Sequence, residues 1–295
     1  MRIAHITDIH FYVPPRIGQL PGKRLLGTAN LYLRGRRHEF SPQVQACVVQ
    51  TLQDLKPDAV VISGDLTAQA TAEEFDAAFT ALRPVLDSVP TFVIPGNHDV
   101  YTRGAQQTQR IRERFGAWMA IDEATGIGRL DVDGVTFIGL DPNRPTFLFA
   151  TGVLPPRQLE GLRSMLDAPD LAERTVILCI HYPIVGPDST PYDNRGHGLL
   201  NATEVIETLR GVRHAPTAVL HGHKHHGARA TLDLGTRQVP SFNPGSAGLA
   251  YDADHGRCAA INVYEVGAGP IRVQRWLHDG QTFQVEEGGA YASGW

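Results

Sequence analysis

A repeated rhythm constrains the fold of this 295-residue chain more than any other feature. Short β-branched or apolar runs, at 2–7, 58–63, 91–94, 135–140, 175–180 and 217–220, each lead into Gly, Asp, Asn or His. Runs of that kind predict buried strands of an α/β sheet. Between them, 42–55, 71–87, 104–119, 156–167 and 202–211 space their apolar residues as helices do. Ser41-Pro42 offers a cap and a first-turn proline to one helix, and Pro155-Pro156 opens another. After residue 226 the pattern changes to hairpin-like strands, near 228–234, 237–242, 258–265 and 271–277. In open α/β sheets, ligand-binding groups gather where strands end, at the carboxyl edge of the sheet. The residues that follow each apolar run are therefore the ones to read for chemistry.

Composition narrows the setting. With 42% hydrophobic and 20% charged residues, the length suits one large domain, expected over 1–287, with a loosely held tail over 288–295. A net charge of −4 provides no global basic field, so no nucleic-acid polymer is expected as a partner. Cys47, Cys179 and Cys258 are odd in number and far apart, which argues against a disulfide framework and a cysteine-type zinc site. Met1 leads directly into the first apolar run, and no run approaches the ~20 apolar residues of a membrane span. The expectation is a cytoplasmic protein. The sequence sets no oligomeric state.

Five strand ends carry the unusual residues. They deliver Asp8-Ile-His10, Gly64-Asp65, Gly96-Asn97-His98-Asp99, His181, and His221-Gly-His223-Lys-His225. Imidazole and carboxylate together suit Mn, Fe or Zn better than Ca or Mg, which prefer all-oxygen shells. Two such ions lie about 3.5–4 Å apart in dinuclear sites and repel, so an anionic group must bridge them. The x-alternations Asp8-x-His10 and His223-x-His225 can aim both side chains one way, and Gly64, Gly96 and Gly222 allow tight turns around ions. Each fragment alone is weak: a D-x-H or G-D pair occurs by chance, and a lone His181 would more often be a core histidine. Their occurrence together, each at a strand terminus, is what points to a metal site.

The order Asp-x-His, Gly-Asp, Gly-Asn-His-Asp, His, Gly-His-x-His resembles the calcineurin-like metallophosphoesterase family, and Asn243-Pro-Gly-Ser246 resembles its closing turn. The resemblance implies two stacked mixed sheets flanked by helices, a four-layer α/β/β/α sandwich with the site at the carboxyl edge. It implies two divalent or trivalent cations, one held by Asp8, His10, Asp65 and His225. The other would take Asp65, Asn97, His181 and His223, so that Asp65 bridges. His221 and His226 then read as supporting or surface residues, and Tyr182 stands where many relatives carry a second histidine. The expected reaction is hydrolysis of a phosphate ester, foremost a phosphodiester, by hydroxide activated between the ions. His98, beside ligand Asn97, is placed to protonate the leaving group, with Asp99 orienting it. The alternatives are hydrolysis of a lipid-linked pyrophosphate such as UDP-diacylglucosamine, and a metal-binding scaffold without turnover.

Two stretches depart from the scaffold. Residues 12–40 interleave Lys23, Arg24, Arg34, Arg36 and Arg37 with leucines and Tyr32. That pattern reads as an ordinary surface helix, a cap over the site, or a contact of 20–37 with an anionic membrane. The loop 185–198 follows His181 and offers Arg195 and His197 as substrate contacts.

Overall fold

The computed structural model describes residues 1–14, 39–100, 102–107, 109–146 and 149–293. Most of the basic, apolar insert, including the proposed membrane contact at 20–37, lies outside them.

Six strands form one sheet, ordered β13 (Phe283–Val285), β12 (Arg272–His278), β11 (Ala260–Glu265), β1 (Arg2–Ile6), β2 (Ala59–Ile62) and β3 (Thr91–Val93). Seven form the other: β4 (Ile121–Asp122), β5 (Ile127–Val132), β6 (Val135–Leu140), β7 (Thr175–Ile180), β8 (Ala218–Leu220), β10 (Gln238–Asn243) and β9 (Ala228–Asp233). Strands β1, β2 and β3 are mutually parallel, as are β6, β7 and β8, whereas β11–β13 and β9 run antiparallel to their neighbours.

Alternation along the strands builds the layers. Ile3, Val61, Phe92, Phe137, Ile177 and Leu220 face inward and join a core between the two sheets. Ala4, Ile6, Val60 and Ile62 face the other way, under helices α1 (Pro42–Leu55), α2 (Ala72–Leu86) and α4 (Arg110–Met119). On the second sheet, Ile138, Leu140, Leu178 and Ile180 pack under α5 (Pro156–Leu166) and α6 (Ala202–Arg210). The result is the expected helix–sheet–sheet–helix stack.

Local chemistry sets the helix starts. Ser41 caps α1 by accepting from Val44 N at 3.4 Å, with Pro42 in the first turn. Thr71 and Glu74 form a reciprocal capping box on α2. The helix expected over 104–119 is broken into α3 (Arg103–Gln107) and α4, where Gln109 adopts φ +47°. The tail expected to be loose is held through Ser293. Tyr291 accepts a hydrogen bond from Asn262 Nδ2 at 2.7 Å, and Ser293 N donates to Glu286 at 2.8 Å. Among the described residues no helix is long and apolar enough to cross a membrane.

Candidate metal centre

The parallel strands of both sheets point their carboxyl ends to one edge, where the five motifs converge. Asp8, His10, Asp65 and His225 present one donor atom each, all within 4.8 Å of one another. Beside them, Asn97 Oδ1 lies 3.1 Å from His181 Nε2 and 2.7 Å from His223 Nδ1. Asp65 Oδ2 sits between the two groups, 3.7 Å from His10 Nε2 and 3.3 Å from His181 Nε2. A single oxygen thus faces both sets of donors.

The other ends of these side chains are tied down, which fixes which atom is presented. His10 Nδ1 donates to the Thr67 carbonyl at 3.2 Å, and His181 Nδ1 to the Ser63 carbonyl at 2.8 Å, so each offers Nε2. His223 is reversed: Nε2 donates to the His197 carbonyl at 2.9 Å and Nδ1 faces the site. Asp8 Oδ2 accepts from Thr7 Oγ1 and from His223 N, whereas Asp8 Oδ1 is buried with no hydrogen-bond partner. Asp65 Oδ1 accepts from His98 N at 2.7 Å, leaving Oδ2 for the centre.

The backbone is bent to achieve this. Asp8, His10, Asp65, His223 and His225 all adopt positive φ, between 50° and 74°. Non-glycine residues avoid that region, at a cost of about 1–3 kcal/mol each, and such strain collects at functional sites. Gly96 and Gly222 permit the close approach. A Cβ on the first would strike the Asp65 carboxylate, and on the second the Thr7 hydroxyl and Asp8 Oδ2. The Asn243–Ser246 turn stitches the edge together, Ser246 Oγ donating to the Asp8 carbonyl and Asn243 Nδ2 to that of Gly222.

The electrostatics ask for positive charge. Burial opposes ionisation of Asp8 and Asp65, yet the surrounding histidines hold both below the usual carboxylate range. Burial likewise opposes protonation of His181, but Asp65 and Asp8 outweigh it and lift the imidazole to about 9. His225 is raised by the same carboxylates, whereas burial dominates at His10 and His223 and lowers both to about 3. A buried Asp8 oxygen facing His225 Nε2 at 3.3 Å, oriented imidazoles and charge-seeking aspartates make a donor set that could hold metal cations.

Other expected residues fall differently. The His98 ring lines the cavity over the centre, its Nδ1 donating to the Ala68 carbonyl at 2.6 Å. Asp99 does not orient that ring through its carboxylate, which instead accepts from Gly96 N, Leu66 N, Thr67 N and Thr67 Oγ1. Asp99 therefore clamps the 64–67 turn that carries Asp65. Burial and the nearby Asp65 raise its carboxyl to about 7. His197 lines the cavity, but Arg195 is exposed and is not among its lining residues. His221 is buried, and Tyr182 packs at a tilt of 41° against His223 with ring centroids 4.3 Å apart.

Several site residues have no signal at a strand end. The cavity, about 580 Å³, is lined by Lys224 within the last motif and also by Glu39, Arg257 and Arg275, which no motif includes. His5, inside β1, supports the second strand's exit by bonding Ser63 Oγ through Nε2 at 2.8 Å. Phe40, at the end of the insert, lies 4.3 Å from the His10 ring, so the insert's boundary abuts the ligands.

The profile of a family described as calcineurin-like phosphoesterase matches residues 1–227. The chain belongs to the calcineurin-like phosphoesterase family. A probable cyclic nucleotide phosphodiesterase of Rhodococcus erythropolis is 30% identical over 186 residues, covering 60% of this chain and 54% of that protein. A probable glycerophosphodiester phosphodiesterase of Arcobacter nitrofigilis is 30% identical over 131 residues, covering 44% of this chain and 43% of that protein. The chain thus spans about half the length of the curated relatives it matches. A dimetal phosphatase from Danio rerio aligns over 96% of this chain and 98% of its own, with TM-score 0.65 and 15% identity. A purple acid phosphatase from yellow lupin seeds aligns over 97% of this calcineurin-like chain and 52% of its own, with TM-score 0.59 and 14% identity. At such identities the two structures share the fold.

Proposed function

We propose that this calcineurin-like phosphoesterase hydrolyses a small phosphodiester with two transition-metal cations, Mn, Fe or Zn. Asp8, His10, Asp65 and His225 would hold one, and Asp65, Asn97, His181 and His223 the other. The observation that carries the reading is Asp65 Oδ2, which faces His10 Nε2 at 3.7 Å and His181 Nε2 at 3.3 Å. When bound, the cations would neutralise phosphoryl charge and acidify a water toward neutral pH.

The chain's own groups supply the rest. Asp99 holds the turn that presents Asp65, and the Asp65 carboxylate in turn anchors the His98 amide. His98 Nδ1 donates a hydrogen bond to the Ala68 carbonyl, and Nε2 would exchange a proton with the leaving alkoxide. A cavity of about 580 Å³ has room for both ester arms of a diester, and the two relatives named above are phosphodiesterases by name.

The test is kcat/KM of the metal-loaded protein on bis(4-nitrophenyl) phosphate, 4-nitrophenyl phosphate and a nucleoside-diphosphate ester. The diester is expected to be turned over best. Preference for the pyrophosphate would favour the lipid-linked pyrophosphate alternative, and bound metal without turnover would mark a silent scaffold.

A further inference from the structure

The cavity beside the metal centre carries cationic groups that the ligand set does not use. Arg275, on β12, is buried at 1% exposure and lines the cavity. Its Nε donates to the Pro244 carbonyl at 3.0 Å, but its Nη1 is buried with no hydrogen-bond partner. The acid facing it, Glu286, stands 3.5 Å from Nη1, and its oxygens accept from Ser293 and from Tyr291 N instead. A buried guanidinium in that state lacks the bidentate acceptor it is built for.

Two more cations share the cavity. Lys224, between His223 and His225, sits over the Tyr192 ring face at 5.5 Å and has no ion pair among the described residues. Arg257 gives Nη2 to Asp252 at 2.7 Å, which leaves Nε and Nη1. Gly245 separates Arg275 from the metal ligands: a Cβ there would lie 3.5 Å from Arg275 Nη2 and 3.6 Å from the His225 carbonyl. The guanidinium therefore sits just behind the ligand loop.

We propose that Lys224, Arg257 and Arg275 form an oxyanion subsite, and that the substrate's alcohol arm carries a second anionic group, a phosphate or a carboxylate. Three cations lining the same cavity would hold that group while the metal centre holds the scissile phosphate. This rests on the phosphoesterase reading of the same cavity.

Binding rather than turnover tests it. Calorimetry on the metal-loaded protein compares alkylphosphonates with alkylene bisphosphonates and carboxyalkylphosphonates of matched length. A doubly anionic ligand should bind about tenfold or more tightly than its singly anionic match, the scale of one or two charge-assisted hydrogen bonds. Whichever doubly anionic series shows the larger gain identifies the second group. In Lys224→Gln and in Lys224→Gln/Arg257→Gln the affinity ratio should fall stepwise toward one. A ratio near one in the unaltered protein, or a ratio that both variants keep, overturns the subsite. A tenfold ratio in the unaltered protein that falls in the variants, with no turnover of bis(4-nitrophenyl) phosphate, supports the subsite and sinks the phosphodiesterase reading instead.

Discussion

Replacing Asp65 by Asn distinguishes a bridging carboxylate from an ordinary ligand. The amide oxygen can still accept from His98 N, now at 2.7 Å, so the turn keeps its hydrogen bond. What disappears is the negative charge facing His10 and His181. Its size can be gauged from His181, which Asp65 and Asp8 lift from 6.5 to about 9 against the opposing effect of burial. That rise, to which Asp65 contributes most and Asp8 and the Ser63 carbonyl the rest, corresponds to about 3 kcal/mol in favour of a single positive charge. A doubly charged ion gains more, so Asp65→Asn should weaken each site by about a hundredfold or more. Asp8→Asn, whose Oδ1 belongs to one set alone, should deplete one ion and spare the other. Elemental analysis after dialysis against buffered Mn or Zn, with circular dichroism to verify folding, reads both variants. An Asp65→Asn protein that keeps one ion at undiminished affinity would refute the bridge.

Other consequences are measurable separately. His98→Ala should retain its metals and lose about 10²–10⁴ in rate, less for nitrophenyl esters than for alkyl esters; equal losses would remove His98 as the acid. Because His181 is lifted to about 9, metal uptake between pH 6.5 and 9 should expel protons, and affinity should rise with pH across that window. Calorimetry in buffers of different ionisation enthalpy checks this, and a buffer-independent heat would contradict it. Asp99→Ala frees four buried donors and should cost about 3 kcal/mol or more of stability, read as a drop in denaturation midpoint. Tyr182→Phe removes a buried hydroxyl without a hydrogen-bond partner, so its Tm should equal or exceed that of the parent.

Much of the architecture was legible because burial imposes period and punctuation. Strands β1, β2, β6 and β7 are apolar on both faces, which a helix of that length between polar turns would not be. The second sheet's edge was not: β5 reads Ile-Gly-Arg-Leu-Asp-Val, half exposed and broken by charge. Its signal lay in the turn, where Asp133 and Gly134 both take positive φ, as a two-residue hairpin demands. The seven proposed ligands could be found since each follows a strand directly. Asp99 misled because neighbours in a tight turn point apart, so adjacency to His98 said nothing of contact. Arg257 and Arg275 stayed hidden, for one lies in the turn before β11 and the other on β12 against Pro244, and only the tertiary fold brings both to the cavity. No local pattern encodes that.

Anomalous diffraction from Mn-loaded crystals measures whether Asp65 bridges a dinuclear centre. Two peaks about 3.5–4 Å apart are expected, one beside Asp8, His10 and His225, the other beside Asn97, His181 and His223, with Asp65 Oδ2 touching both. A fully loaded crystal with one peak, or with two peaks that Asp65 does not join, would show that Asp65 is no bridge.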